Sequence, residues 1–160
     1  MAIRRIQTFA GAYAELRASE DGGELEMASY IGDLVHRIGA GAFDPAVLVT
    51  ASSDSVVLPR ETAVAIGLFV NEALTNAAKY AFAEGEAGVV TVTFTGTARQ
   101  WQCTVSNTGE GRAEPGEKGT GLGTGLMDAF AKQAGAVIDK PAVERGFAIR
   151  LRTPPPASAA

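Results

Sequence analysis

Glu72, Asn76 and Lys79 follow one another at intervals of four and three residues. In an α-helix these positions stack within an arc of about 60°. A carboxylate, an amide and an ammonium then share one stripe, while Ile66, Val70, Ala73, Leu74 and Ala77 fall on the opposite side. Alone, such a stripe describes an ordinary solvated helix face. Further along lies Gly119-Thr-Gly-Leu-Gly-Thr-Gly125, followed by Leu126, Met127, Phe130 and Ala134 at helical spacing. Alternate glycines let backbone N–H groups approach a ligand closely, and a helix N-terminus attracts phosphate. Taken together, the stripe and the glycine run read as a nucleotide site.

Two better-known phosphate motifs do not fit. Gly121-x-Gly123 is followed by Leu126 where a dinucleotide fingerprint requires glycine, and no Gly-Lys-Ser/Thr occurs. The arrangement instead resembles the GHKL ATPase superfamily, and within it the sensor histidine kinases. Asn71-Glu72-x-x-x-Asn76-x-x-Lys79-Tyr80-Ala81-Phe82 is similar to the N box, Val105 to Gly111 to the G1 box, and Gly119-x-Gly121-Leu122-Gly123 to the G2 box. Order and intervals agree, over roughly residues 2–153. The ending of the N box and the short G1–G2 segment are closest to the HWE subgroup.

The resemblance implies ATP and Mg²⁺ as ligands. It implies that Asn76 supplies an oxygen to Mg²⁺, that Glu72 acts as general base, and that Lys79 and Tyr80 lie near the phosphates. Asn107, Gly109 and Gly111 would form the base side, with Gly119, Gly121, Leu122 and Gly123 covering the phosphates as residues 112–118 close. One amide is enough for Mg²⁺, which keeps several waters and takes few protein oxygens. Asn107 departs from the family, whose G1 box carries Asp there to accept from the adenine amino group. An amide keeps one acceptor but loses the charge and gains donors, a cost of about 1 kcal/mol or roughly fivefold in affinity. The same amide could donate to a guanine oxygen.

The surrounding elements fit one domain. With 160 residues and 46% hydrophobic content the chain can build a substantial core. Alternation predicts strands over 89–94, 101–105 and 147–152, each with one buried face. Val47 to Thr50 and Ser55 to Leu58 read as a hairpin around Ser52-Ser-Asp54, and Pro59 opens the N-box helix. The expected fold is an α/β (α+β) two-layer sandwich, a mixed and largely antiparallel sheet with helices on one face. A helical lead-in spans 1–43, the nucleotide domain 44–153 and a proline- and alanine-rich disordered tail 154–160. In the lead-in, Ile3, Ile6, Ala10 and Tyr13 form a short seam, and Tyr30 to Ala40 a helix with Ile31, Leu34, Val35 and Ile38 inside. The resemblance makes this the end of a dimerising hairpin, read as starting after the phosphoacceptor histidine. That seam is a weak homodimer signal.

His36, the one histidine, lies about 140° around the helix from Ile31 and reads as exposed. Cys103, the one cysteine, reads as core filler, and one Cys with one His offers no transition-metal constellation. A net charge of −4 argues against general nucleic-acid binding. Arg150 and Arg152 read as a solvated strand face. No apolar run approaches the ~20 residues of a membrane span and no secretory h-region is present, so a cytoplasmic location is expected. Three functions compete. The leading one is the ATP-binding catalytic domain of a histidine kinase, whose partners are a histidine-bearing hairpin or a response regulator. The others are a serine kinase acting on a sigma-factor system and a degenerate interaction module with weak or no nucleotide binding.

Overall fold

The computed structural model describes residues 23–111 and 122–157. The proposed seam at residues 3–13, Gly119 and Gly121 of the G2 run, the 112–118 segment and residues 158–160 lie outside that range. In chain order the elements are β1 (Glu24–Glu26), α1 (Met27–Ala42), β2 (Val47–Ser53), β3 (Val57–Pro59), α2 (Arg60–Tyr80), β4 (Gly88–Gly96), β5 (Trp101–Asn107), α3 (Leu122–Gln133), β6 (Val137–Asp139) and β7 (Phe147–Arg152).

Five strands form the main sheet in the order β2-β4-β5-β7-β6. The β2–β4 pair is parallel and the other three pairs are antiparallel. The expected mixed, largely antiparallel sheet with one buried face is therefore present. Its inner rows carry Val90, Val92 and Phe94 on β4, Trp101, Cys103 and Val105 on β5, and Ile149 and Leu151 on β7, all buried. Alternate positions such as Thr91, Thr93, Thr104 and Ser106 face outward and are only partly covered. Trp101 stacks on Phe94 with ring centroids 5.8 Å apart. Burial raises the Cys103 thiol to about 12, so it is held as an unreactive filler of this layer.

The predicted hairpin is not formed. β2 runs parallel to β4 in the main sheet, while β3 pairs antiparallel with β1 in a separate two-stranded sheet. A parallel pair cannot be closed by a tight turn and needs a crossover, which α2 supplies between β2 and β4. The strands part at Asp54, whose N–H donates to the Phe94 carbonyl at 2.9 Å and whose Oδ2 accepts from Gly96 N–H at 2.9 Å. Alternation marks an extended segment but does not name its partner.

α1 begins at Met27, three residues before the predicted start, because the Glu26 carboxylate caps it. Its oxygens accept from the N–H groups of Ala28 at 3.0 Å and Ser29 at 2.8 Å, which holds that carboxyl below its usual range. Met27, Ile31, Leu34 and Val35 are buried in the same core as the sheet, with Ile38 packed against it. α1 thus lies before the 44–153 segment in sequence but shares its interior. His36 is exposed on this helix.

α2 departs from the amphipathic expectation. Every residue from Ala63 to Leu74 is buried, including Asn71 at 5% and Glu72 at 1% exposure. β5 and β7 contact it, as do α1, α3, β1 and β3, so little of its middle meets solvent. A helix surrounded in this way is buried nearly all round whatever its sequence stripe suggests.

On the open face, Arg150 and Arg152 are not free in solvent. Arg150 donates through Nε to Asp139 Oδ1 at 2.8 Å and through Nη2 to Oδ2 at 2.6 Å, and Arg152 Nε reaches the same Oδ2 at 3.0 Å. The three residues pin the short edge strand β6 to β7. The Arg150 hydrogen bonds, aided by Arg152, hold the Asp139 carboxyl at about 2. A carboxyl lowered by folding contributes stability above its unfolded value near 3.8, and that contribution is lost as pH falls toward 2. After allowance for solvent screening, Asp139→Asn is expected to cost about 1 kcal/mol at pH 7. Urea titration should show the gap between wild type and variant shrinking between pH 4 and pH 2; a pH-independent gap contradicts this assignment.

Candidate nucleotide site

α2 ends where β5 ends. The Ala81 N–H donates to the Ala77 carbonyl at 3.0 Å, closing the helix, and the Ala81 carbonyl then accepts from Gly111 N–H at 3.1 Å. Gly109 lies against that same carbonyl. A Cβ on Gly109 would stand 2.0 Å from the Ala81 oxygen and 2.6 Å from its carbon, so only glycine allows the approach. The last turns of the N-box helix and the G1 turn after β5 are thereby held as one unit.

Asn107 closes β5 and is nine-tenths buried. Its Oδ1 accepts from Gly109 N–H at 3.0 Å. Because a backbone donor faces this atom, it must be the amide oxygen; the reversed amide would oppose two donors. On one side Asn107 pairs with Val90 and on the other with Phe147. Gly146, at φ +84°, packs so close that a Cβ there would stand 1.8 Å from the Asn107 carbonyl oxygen. Next along the turn, Thr108 N–H donates to the Val89 carbonyl at 3.0 Å and Val89 N–H donates back to Thr108 Oγ1 at 3.0 Å. The turn is fixed from both sides.

The remaining predicted residues take different environments. Asn76 is half-buried, whereas Lys79 and Tyr80 are exposed at the end of α2. Glu72 is the correction: it was expected on the exposed stripe with them and instead lies inside, one turn deeper, because the neighbouring elements close over that part of the helix. Leu122 and Gly123 open α3, which packs against α2 and buries Met127, Phe130 and Ala131. α2 and the G1 turn are thus in direct contact, and α3, which starts at the end of the G2 run, packs on α2. Gly119 and Gly121 fall outside the described residues.

Gly146, Phe147 and Lys140 carry no functional signal in the sequence, and Ala81 enters it only as one position of the N-box pattern. Ala81 acts through its backbone N–H and carbonyl, for which no side-chain signal exists. Phe147 was read merely as the start of a strand. Its pairing with Asn107 places both side chains on the inner sheet face, yet Phe147 remains 43% exposed. Lys140 Nζ sits 5.8 Å from the centre of that ring.

The donor chemistry suits a triphosphate and its magnesium ion. Among the described residues no group of three or more His, Cys, Asp and Glu side chains could hold a metal by itself. Mg²⁺ needs only one or two protein oxygens beside phosphates and water, and the Asn76 amide can supply one.

If the Ala81 contact holds the two motifs together, Gly109→Ala should destabilise the protein by about 2 kcal/mol through overpacking. Gly32→Ala, in α1 with open space around its Cβ, should instead be stabilising by about 1 kcal/mol. Urea midpoints for both variants check this; equal effects at the two sites contradict it.

Comparison with known proteins agrees with this arrangement. Residues 44–152 match the histidine kinase-like ATPase domain family. Blue-light-activated histidine kinase 2 of Erythrobacter litoralis is 34% identical over 91 residues, which is 56% of this chain and 26% of that protein. The solved histidine kinase domain of a blue-light-activated kinase of Erythrobacter litoralis superposes with a TM-score of 0.70 at 29% identity, over 81% of this chain and 61% of that one. A longer structure of the blue-light-activated kinase gives a TM-score of 0.75 at 28% identity, over 94% and 47% of the respective chains. The chain thus spans about a quarter of the curated relative it matches. Its matched segment takes in the N-box helix, the G1 turn and the start of α3, and on that ground the chain belongs to the histidine kinase-like ATPase domain family.

Proposed function

We propose that this chain is the nucleotide-binding catalytic part of a two-component sensor histidine kinase, holding Mg-ATP while its γ-phosphoryl is transferred to a histidine on a helical hairpin. The observation that carries this reading is the contact through Ala81, which seats the exposed end of the N-box helix against the G1 turn. Family membership supplies the direction of the chemistry.

Each group then has a task set by its surroundings. The Asn76 amide oxygen would hold the magnesium ion, whose contribution when bound is to neutralise triphosphate charge. Lys79, exposed at the helix end, would place its ammonium toward the phosphates. Glu72 would orient the accepting group or a water from its buried position. Bare backbone N–H groups of the G2 run, with Gly123 in the first turn of α3, would cover the phosphates. In the transfer, the bond between the γ-phosphorus and the bridging oxygen breaks, a bond to an imidazole nitrogen forms, and ADP leaves. The work is positioning and charge stabilisation rather than covalent chemistry by the protein.

The acceptor is placed on a hairpin supplied as partner, with a response regulator downstream, and a cytoplasmic setting follows from that role. No helix among the described residues is long and apolar enough to cross a membrane. A homodimer through the 3–13 seam belongs to the same proposal. A second reading, an interaction module that has lost turnover, draws on Asn107 standing where the family carries Asp.

Calorimetric titration with ATP, with and without Mg²⁺, tests the leading function. Wild type should bind more tightly with the metal, and Asn76→Ala should lose that metal-dependent gain, on the order of tenfold or more. Binding that is indifferent to both the metal and the substitution rejects the assignment of the site. Metal-dependent binding that yields no transfer even when a histidine-bearing helical hairpin is supplied favours the interaction module.

A further inference from the structure

Where the phosphate end of the site keeps the family's groups, the base end offers the opposite polarity. The Asn107 oxygen is already engaged by Gly109 N–H at 3.0 Å, and the direction of that bond fixes the amide. What Asn107 can turn toward a ligand is its NH₂ group, a pure donor. A carboxylate in this position could accept from Gly109 with one oxygen and from an adenine amino group with the other. The amide has a single acceptor oxygen, so an adenine amino group would have to share it with Gly109 N–H, while the outward NH₂ group meets the base as a donor.

Two further residues border the same end. Phe147 is paired with Asn107 across the β5–β7 ladder, shares its face of the sheet, and leaves 43% of its surface uncovered. Lys140 holds an ammonium 5.8 Å from that ring's centre, a second donor. The loop between β6 and β7 that carries Lys140 also touches the G1 turn, through Arg145 Nη2 and Glu110 Oε1 at 4.0 Å. Gly146, packed against the Asn107 carbonyl, fixes the loop's other end.

We propose that this site prefers a 6-oxopurine nucleoside triphosphate, with the Asn107 NH₂ donating to the base's O6, the Phe147 ring flanking its plane and Lys140 favouring the acceptor-rich O6/N7 edge. Adenine presents an amino group at that position, so donor would meet donor. It can satisfy Asn107 only through a neighbouring ring nitrogen, N1 or N7, with the base displaced from the position a 6-oxopurine takes. A buried donor left without an acceptor costs more than a neutral hydrogen bond contributes, which sets the discrimination at roughly tenfold. This inference rests on the nucleotide-binding reading and changes only the identity of the base.

Inosine triphosphate isolates the question, since hypoxanthine differs from adenine only in carrying O6 and a proton on N1. Calorimetric titration of the chain with magnesium and ITP, GTP or ATP should give tighter binding of ITP and GTP than of ATP, by about tenfold. In Asn107→Asp, whose carboxylate still accepts from Gly109 N–H, the order should invert in favour of ATP. Lys140→Gln should weaken ITP and GTP more than ATP. Wild type binding ATP as tightly as ITP, or more tightly, overturns the inference and leaves the nucleotide reading standing. Binding of none of the three at millimolar concentration, by wild type or Asn107→Asp, overturns both. The wild-type comparison requires no substitution, so a variant that fails to fold does not blunt the test.

Discussion

The backbone carbonyl of Ala81 is the point on which the rest of the arrangement depends. Carbonyls in the last turn of a helix have no partner within it and must find donors elsewhere. Here the donor is Gly111, and the absence of a side chain on Gly109 lets the turn come close enough to give it. A helix that could otherwise slide over the sheet is registered against the end of one strand. Lys79, Tyr80, Asn107 and Gly109 all lie within four residues of that contact.

Around this point the two ends of the site are built differently. In the proposed nucleotide reading, the phosphate end draws on helix termini and polar side chains: half-buried Asn76, exposed Lys79 and the opening of α3. Such groups tolerate movement, since an ammonium on a long stem and a row of N–H groups can follow a phosphate. The base end is rigid. Asn107 ends the central strand of a five-stranded sheet, hydrogen-bonded through its side chain and hemmed in by Gly146. A single exchange of carboxylate for amide therefore cannot be absorbed by rotation, because the neighbouring N–H dictates which end of the amide points away. Rigidity converts a one-atom change into a change of polarity.

The sheet that provides this rigidity is itself fastened on its outer side. Asp139 draws Arg150 and Arg152 together and holds the β6 edge, while the inner side is filled by Phe94, Trp101 and Cys103. The arginine pair illustrates how far a strand's pattern can be read. Alternation in 147–152 correctly put both on the outer face, but their common carboxylate comes from a strand of three residues too short to announce itself by periodicity.

The sequence by itself determined the kind of elements and most of their inner faces. Strands read at 89–94, 101–105 and 147–152, the helix carrying Ile31, Leu34 and Val35, and the three glycine and amide motifs all follow from local spacing, since side-chain periodicity and glycine's lack of a Cβ are properties of neighbouring residues. The tertiary structure alone decided the partners. It sent Val47–Ser53 beside β4 rather than into a hairpin with Val57–Pro59, and it closed other elements over Glu72, which a lone helix would have left in water. It also buried Asn107 and clamped its turn under Ala81, so that the local bond from Gly109 N–H to the amide oxygen is held in place. Strand pairing and burial depend on groups brought together through space, and no local pattern in the chain encodes which groups those will be.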